Sequence, residues 1–398
     1  MEKLVSLLGL FVFILIAYAL SEDRKAVNRR LVIWGVALQF VFALLILKTA
    51  PGRYVFDLAQ RIMTAALDLT SIGASFIFGK LSSDFSIGAV FAFKVLPTVI
   101  FVSSIMAVLF HFKIIQAVIR GMAWVMRRSM GASGTETFMA ASFVFMGIEA
   151  VTAVKRYLST MTRSEVFTLM TAFMATIAGS VMAAYVSFGA DAGHLLAASV
   201  MSAPAAIVIS KLLVPETAAS ETAVSGIKEL KIETVNAVDA AATGAQDGMK
   251  LALTIGAVLL AFVSIIGMMD MFLGEIGTSF EAISGYVFSP VAFIMGVPYT
   301  ECFEVGRLLG IKVVFNEFLA YQKMQPLIEA GAIGPRSIVI TTYALCSFAN
   351  FGSLAILIGG VTTLCPSKKT EVVSLGLKAI LSGCIAGFMT ATIAGVLV

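Results

Sequence analysis

Phe143–Val144–Phe145–Met146–Gly147–Ile148–Glu149 is one of two stretches that decide the fold, and Phe293–Ile294–Met295–Gly296–Val297–Pro298–Tyr299–Thr300–Glu301 is the other. Each is an apolar run closed by a glycine and followed by a carboxylate. The glycine weakens helix continuation, and the carboxylate stands where apolar surroundings would normally exclude a charge. In a chain that crosses a membrane, such interruptions in the two halves mark the binding site of a transporter.

Composition makes the membrane reading firm. Charged residues are 13% and hydrophobic ones 59%, against roughly 25% charged in soluble domains. At about 20 residues per span, the chain holds about eight spans with their loops. Its net charge is only +4, and no basic patch is interleaved with stacking aromatics, so nucleic acid is not an expected partner. Cys302, Cys346, Cys365 and Cys384 lack metal-site spacing, and His111 and His194 are too few for a histidine cluster. The stretch 4–20 reads as a first span, not a removed signal peptide.

Spans are expected at 2–21, 31–50 and 90–112, at 165–188 and 194–213, and at 248–275, 337–360 and 374–397. Arg24, Lys25, Arg29 and Arg30 put the first loop in the cytoplasm and the N-terminus outside. Residues 51–89 carry Arg53, Asp57, Arg61, Asp68 and Lys80, and read as an amphipathic helix along the interface instead of a span. The interrupted segments are 134–158 and 286–325, and 215–246 is a polar surface connection with a mobile middle. Each half also carries a broken small-residue helix, Met174–Ser180 and Cys346–Ser353. The pattern is a weak internal repeat, inverted if the hairpins enter from opposite sides.

Glu149 and Glu317 lead the functional candidates, because an ionised carboxylate deep in a bilayer costs several kcal/mol unless paired or wetted. A broken helix offsets this with free N–H groups and a partly positive end. The plainer alternatives are that Glu149 pairs with Lys155 or Arg156, and that Glu317 caps a connector. Glu301 and Glu304 share a helical face, with Arg307 placed for an i,i+3 pair to Glu304. Asn350 and Ser353, beside Phe348, suit hydroxyls on one edge and a ring on the other, or serve as interhelix glue. Ser142 and Thr176 offer hydroxyl oxygens to a hard cation, alongside carbonyls freed at Gly147 and around Gly179.

With these residues in view, the chain resembles the concentrative nucleoside transporters over nearly its whole length. The resemblance is carried by Phe91–Ala–Phe–Lys–Val–Leu–Pro–Thr98, Pro215–Glu–Thr217, Gly296–Val–Pro298, Asn316–Glu–Phe–Leu–Ala–Tyr321 and Ala344–Leu–Cys–Ser–Phe–Ala–Asn350. It implies an all-α polytopic membrane protein, about eight transmembrane helices plus two re-entrant helical hairpins, with an inverted-repeat transport domain. It also implies a homotrimer among membrane lipids, coupling to sodium or protons, and elevator-like motion. The implied division is scaffold helices with an interfacial segment over 1–133 and the first hairpin with its broken helix over 134–213. A polar connector follows over 214–247, then a scaffold helix and linker over 248–285, and the second hairpin with its broken helix over 286–398.

By motif, Glu317 resembles the family's ribose carboxylate. Asn350 and Ser353 match further ribose-side positions, Phe348 the aromatic beside the nucleoside, and Glu149 the nucleobase-side carboxylate. The family reads Gly–Gln–Thr–Glu–Ala–Pro in the first hairpin, and this chain reads Met146–Gly147–Ile148–Glu149–Ala150–Val151. Gly147 and Ile148 thus replace the base-reading pair, so an unusual base preference is expected, C-linked nucleosides such as pseudouridine included. The family's sodium-coordinating asparagine and serine align with Ser142 and Thr176, and the candidate cation set is Ser142, Phe145, Thr176 and Ile177. The expected function is symport of nucleosides into the cell, coupled to sodium or protons, in a multi-pass cell-membrane protein without a further cofactor. A carrier of another small polar metabolite is the alternative. An enzyme is disfavoured by the lack of a nucleophile–base constellation, and a receptor by the lack of an output domain.

Overall fold

The computed structural model describes residues 2–82, 91–221 and 234–398, and every regular element among them is helical. Residues 222–233, the middle of the polar connector, and 83–89, the end of the expected interfacial segment, lie outside the described residues. Helices α1 (Glu2–Ala19) and α2 (Arg29–Lys48) form a pair, the second started by Asn28, which accepts the Leu31 amide at 3.2 Å. Helix α3 (Ala50–Phe78) follows at once, with Thr49 capping it and Pro51 in its first turn. Helices α4 (Leu96–His111) and α5 (Ile114–Met130) are bent by 74° at a corner where Lys113 adopts φ 62°.

The first half continues with α6 (Gly134–Ser142), a tight turn at Ile148–Val154, α7 (Arg163–Ala175), α8 (Gly179–Ser187) and α9 (Ala192–Leu213). Capping boxes Ser133/Glu136 and Thr162/Glu165 start α6 and α7. A long helix, α10 (Ala237–Gly274), leads to α11 (Phe280–Met295), α12 (Cys302–Val314) and α13 (Glu317–Glu329). Helices α14 (Pro335–Leu345), α15 (Phe351–Leu364) and α16 (Lys369–Leu397) complete the chain.

Burial separates an inner body from a rim. The apolar stretches of α7–α8, α9 and α16 are 83–94% buried, those of α1, α2, α3 and α10 only 11–28%. The rim exposes Leu15, Phe76 and Leu260, side chains suited to lipid or another protein surface. Helix α10 packs chiefly on α4, and glycines allow it: a Cβ at Gly244 would lie 2.7 Å from the Ser103 carbonyl oxygen. Helices α1 and α2 pack instead on α9 and α16.

The direction of each half follows from bonds at the two ends. At one end the Glu22 amide donates to the Leu213 carbonyl at 2.9 Å, and its carboxylate pairs with Arg163 at 2.9 Å and Lys378 at 2.8 Å. At the other end Ser6 donates to the Met295 carbonyl at 2.9 Å, while Arg336 donates to Ser6 at 2.9 Å and to the Gly296 carbonyl at 3.0 Å. Helices α7 and α14 therefore start at opposite ends. Both break midway, and the Phe348 amide donates to the Thr176 carbonyl at 3.1 Å where the breaks meet. That is the inverted repeat.

Two expectations are corrected. Ala50–Ser82 is long and apolar enough to cross a membrane, because its charges stop at Asp68 and Lys80, leaving a long uncharged run between them. It is one of seven such helices among the described residues, or eight with the bent α4–α5 pair counted as one crossing. The exposed amphipathic surface lies on α5, which turns Ile114, Val118 and Trp124 outward beside Arg120 and Arg128. Helix α10 starts at Ala237, so the end of the connector expected at 214–247 is already helical.

Candidate binding site at the two helix breaks

The chain breaks between α12 and α13 because Asn316, at φ −167°, turns its side chain to accept the Leu319 amide at 2.9 Å. Asn316 is the cap, which leaves Glu317 as the first helical residue with its carboxylate free for other partners. The positive end of α13 favours a negative charge there. The Tyr185 hydroxyl donates to one oxygen of Glu317 at 2.8 Å, and the Asn350 amide donates to the other at 2.8 Å. Glu317 is 4% exposed and Asn350 1%. A capping role in a surface connector does not describe this residue.

Asn350 does two jobs. Its carbonyl oxygen accepts the Ser353 amide at 2.8 Å and so starts α15, while its NH2 group holds Glu317. Ser353 and Phe348 are half-buried beside it. The Phe348 ring rests on Phe173, 5.5 Å between centroids, and Phe173 meets Phe143 edge-on at 5.4 Å. Two carboxylate oxygens, an amide and an aromatic wall thus come together from α13, α15 and the break before α15.

The tip of the first hairpin is built around Gly147, whose amide donates to the Glu149 carboxylate at 2.7 Å. A Cβ at Gly147 would lie 2.8 Å from that carboxylate, so the glycine makes room for the fold-back. Glu149 is exposed at this tip. Among the described residues neither Lys155 nor Arg156 pairs with it, and Arg156 reaches the Tyr157 hydroxyl instead. Ile148 seats on α15, where a Cβ at Gly360 would lie 2.4 Å from its side chain.

The candidate cation residues cluster where this hairpin meets the first helix break. The Gly179 amide donates to the Phe145 carbonyl at 3.2 Å. Ser142 donates to the Phe138 carbonyl at 2.8 Å and Thr176 to the Ala172 carbonyl at 2.8 Å. Each hydroxyl spends its proton on the helix and keeps lone pairs to offer, and each carbonyl has a second lone pair. Ile177 is fully buried beside them. An all-oxygen set of this kind suits a hard cation.

The second interruption has a different place from the one its sequence implied. Gly296 sits at the turn between α11 and α12, bonded by Arg336 against the start of α1. Glu301 accepts the Gly334 amide at 2.9 Å and so anchors the start of α14. Glu317 meets Asn350 beyond the other end of α14, and 11 residues of helix separate the two by about 16 Å. The break in the second hairpin is at Phe315–Asn316. Glu304 pairs with Arg307 at 2.7 Å as expected, and Arg307 also bonds Glu281.

Two features were not read from sequence. Tyr185 lacks any motif except its position in the helix that follows the first break. At the Glu22 end, Glu136 pairs with Lys211 and accepts from Thr168 at 2.9 Å, while Lys211 also pairs with Glu216 at 3.0 Å. Glu216 is the acid of the Pro215–Glu–Thr217 motif, and it ties the start of α7 to the end of α9.

Comparison with known proteins agrees with this architecture. Residues 194–395 match the family description "Na+ dependent nucleoside transporter C-terminus", residues 8–81 its N-terminal counterpart, and residues 92–192 a "Nucleoside recognition" gate. The transporter YutK of Bacillus subtilis is 40% identical over the full length of both chains. Mouse solute carrier family 28 member 3 is 42% identical over all of this chain, which spans 59% of that protein's length. The structure of CNTnw in an inward-facing substrate-bound state superposes with a TM-score of 0.93 at 38% identity, covering 100% of this chain and 98% of that one. A doubly substituted CNTnw in an outward-facing state gives 0.94 at 38% identity, with coverage of 100% and 98%. A full-length bacterial relative at this identity, with three successive family matches along the sequence, makes the assignment plain: the chain belongs to the Na+ dependent nucleoside transporter family.

Proposed function

We propose that this protein carries nucleosides into the cell by symport with a cation, moving the site between the two sides in an elevator-like step. One observation supports this most: a carboxylate at a helix N-terminus, Glu317, is held by one donor from each inverted half. Buried acceptors of this kind take sugar hydroxyls and reject analogues that lack them. Glu317, Asn350 and Ser353 form the sugar side, with Phe348 against the nucleoside ring. Gly147, Ile148 and Glu149 form the base side, where Ile148 contributes an apolar edge and Glu149 the polar contact. Ser142, Phe145, Thr176 and Ile177 hold the coupling cation, sodium in this reading.

The α4–α10 pair is the fixed scaffold and α6–α9 with α11–α16 the moving body; the packing of α1 and α2 on α9 and α16 favours their travelling with that body. The protein works as a homotrimer in the cell membrane with its N-terminus outside, so the Glu22 end faces the cytoplasm. A second reading, coupling to protons through Glu149, draws on the lack of an ion pair to that carboxylate among the described residues. The test is uptake into proteoliposomes of labelled uridine, adenosine, guanosine and pseudouridine, with sodium and pH gradients imposed separately. Concentrative uptake driven by sodium alone supports the first reading, uptake driven by pH alone the second, and no concentrative uptake of any nucleoside refutes both.

A further inference from the structure

Tyr185 is the side chain through which the first repeat reaches Glu317. Its ring is fully buried, stacked on Tyr321 at 4.6 Å and 23°, and edge-on to Phe318 at 5.0 Å. Tyr321 is itself fastened by its hydroxyl to the Thr342 carbonyl at 2.7 Å. A ring carried on α8 and packed against two aromatics of α13 has little torsional freedom, so its hydroxyl follows how α8 sits against α13. The other end of α8 starts at Gly179, whose amide is bonded to the Phe145 carbonyl. Gly179 and Tyr185 are six positions apart on the helix, about 9 Å. Less than two turns of rigid helix therefore join a candidate cation ligand to a hydrogen bond on the candidate sugar carboxylate.

We infer that Tyr185 is a positioning residue that passes cation occupancy to the substrate: a cation on the Phe145, Thr176 and Ile177 carbonyls fixes the first turn of α8, and α8 sets the Tyr185 hydroxyl on Glu317. The inference rests on the site reading above. A rigid element biased by both sites is the physical requirement for coupling. Coupling is reciprocal, so the factor by which sodium tightens nucleoside binding equals the factor by which nucleoside tightens sodium binding.

The test is the dissociation constant of uridine for the purified full-length protein with and without saturating sodium, in wild type, Y185F and E317Q. Y185F keeps the stacked ring and removes only the donor. In sodium it should bind uridine about tenfold more weakly, and sodium should no longer tighten binding. Its sodium affinity without uridine should stay within about twofold of wild type, a readout that general destabilisation would move. G179A is a second variant, since its methyl would meet the flexible end of Met106 at 2.9 Å and the Phe145 carbonyl oxygen at 3.2 Å at the start of α8, and it should also reduce the sodium factor. A wild type without a sodium factor, or a Y185F or G179A with the wild-type factor, overturns the inference. E317Q separates the two levels: normal uridine binding in E317Q removes the site reading itself, whereas loss there with a wild-type factor in Y185F removes only the role of Tyr185.

Discussion

The Phe348 amide and the Thr176 carbonyl, 3.1 Å apart, join two helix breaks whose helices enter from opposite ends of the molecule. Each break therefore supplies a hydrogen-bond partner to the other. The Thr176 carbonyl belongs to the candidate cation set, and Phe348 stands two residues before Asn350, which holds Glu317.

Asn350→Asp separates the two jobs of that residue. The aspartate can still accept the Ser353 amide and start α15, but it places a second carboxylate against Glu317. Like charges at this range oppose one another. Uridine uptake should fall at least tenfold at neutral pH and recover in part on acidification, as one proton comes to be shared. Equal activity at pH 5 and pH 8 would contradict the contact.

Gly147→Ala should leave stability nearly intact, within about 1 kcal/mol, because the atom it meets is the far end of the flexible Glu149 side chain. The carboxylate must nevertheless swing out of its bond to the Gly147 amide. Nucleobase selectivity should change while thermal melting does not. Competition of labelled uridine uptake by purine nucleosides reads this directly.

Gly360→Ala places a methyl 2.4 Å from Ile148, a stiff β-branched side chain that cannot step aside. Uptake should drop severalfold, and shortening Ile148 to Ala in the same chain should restore much of it. A double-mutant cycle on uptake should give a coupling energy of about 1 kcal/mol or more. Additive effects would mean that the hairpin tip does not seat on α15.

The Arg163 hydrogen bond, followed by Lys378, holds the Glu22 carboxyl below the usual carboxylate range. A lowered folded-state value means that the stabilisation is complete above the unfolded carboxylate's value and fades as pH falls through the folded one. Glu22→Gln should lower the melting temperature slightly at pH 7, the bond being partly exposed and worth about 1 kcal/mol or less. The two proteins should converge as pH falls through the lowered folded value. A gap that does not narrow at all on acidification would point to packing, not charge.

Much of the fold was legible because it rests on hydropathy and punctuation. Gly147 and Glu149 announced the first hairpin tip, and Cys346–Ser353 the second helix break. The second Met–Gly interruption misled, because Gly296 followed by Pro298 ends a helix wherever it stands. What distinguishes a site break from an end turn is the partner, and Arg336 and Ser6 lie tens to hundreds of positions away in sequence. The true counterpart, Phe315–Asn316, carries no glycine and breaks the chain through an asparagine cap. Tyr185 was invisible for a similar reason: its role depends on Glu317, which belongs to the other repeat.

Residue Glu22 is bonded to Lys378 across 356 positions, and Phe13 rests on Phe388 with centroids 5.9 Å apart. Because α1 is translated before α16, it sits in the bilayer without this partner while the helices between them are made. Its polar anchors close in turn as Arg163, Leu213, Met295 and Arg336 are made, and Lys378 completes them. The contacts that fix α1 therefore accumulate through synthesis, and α16 adds the apolar seam along its length.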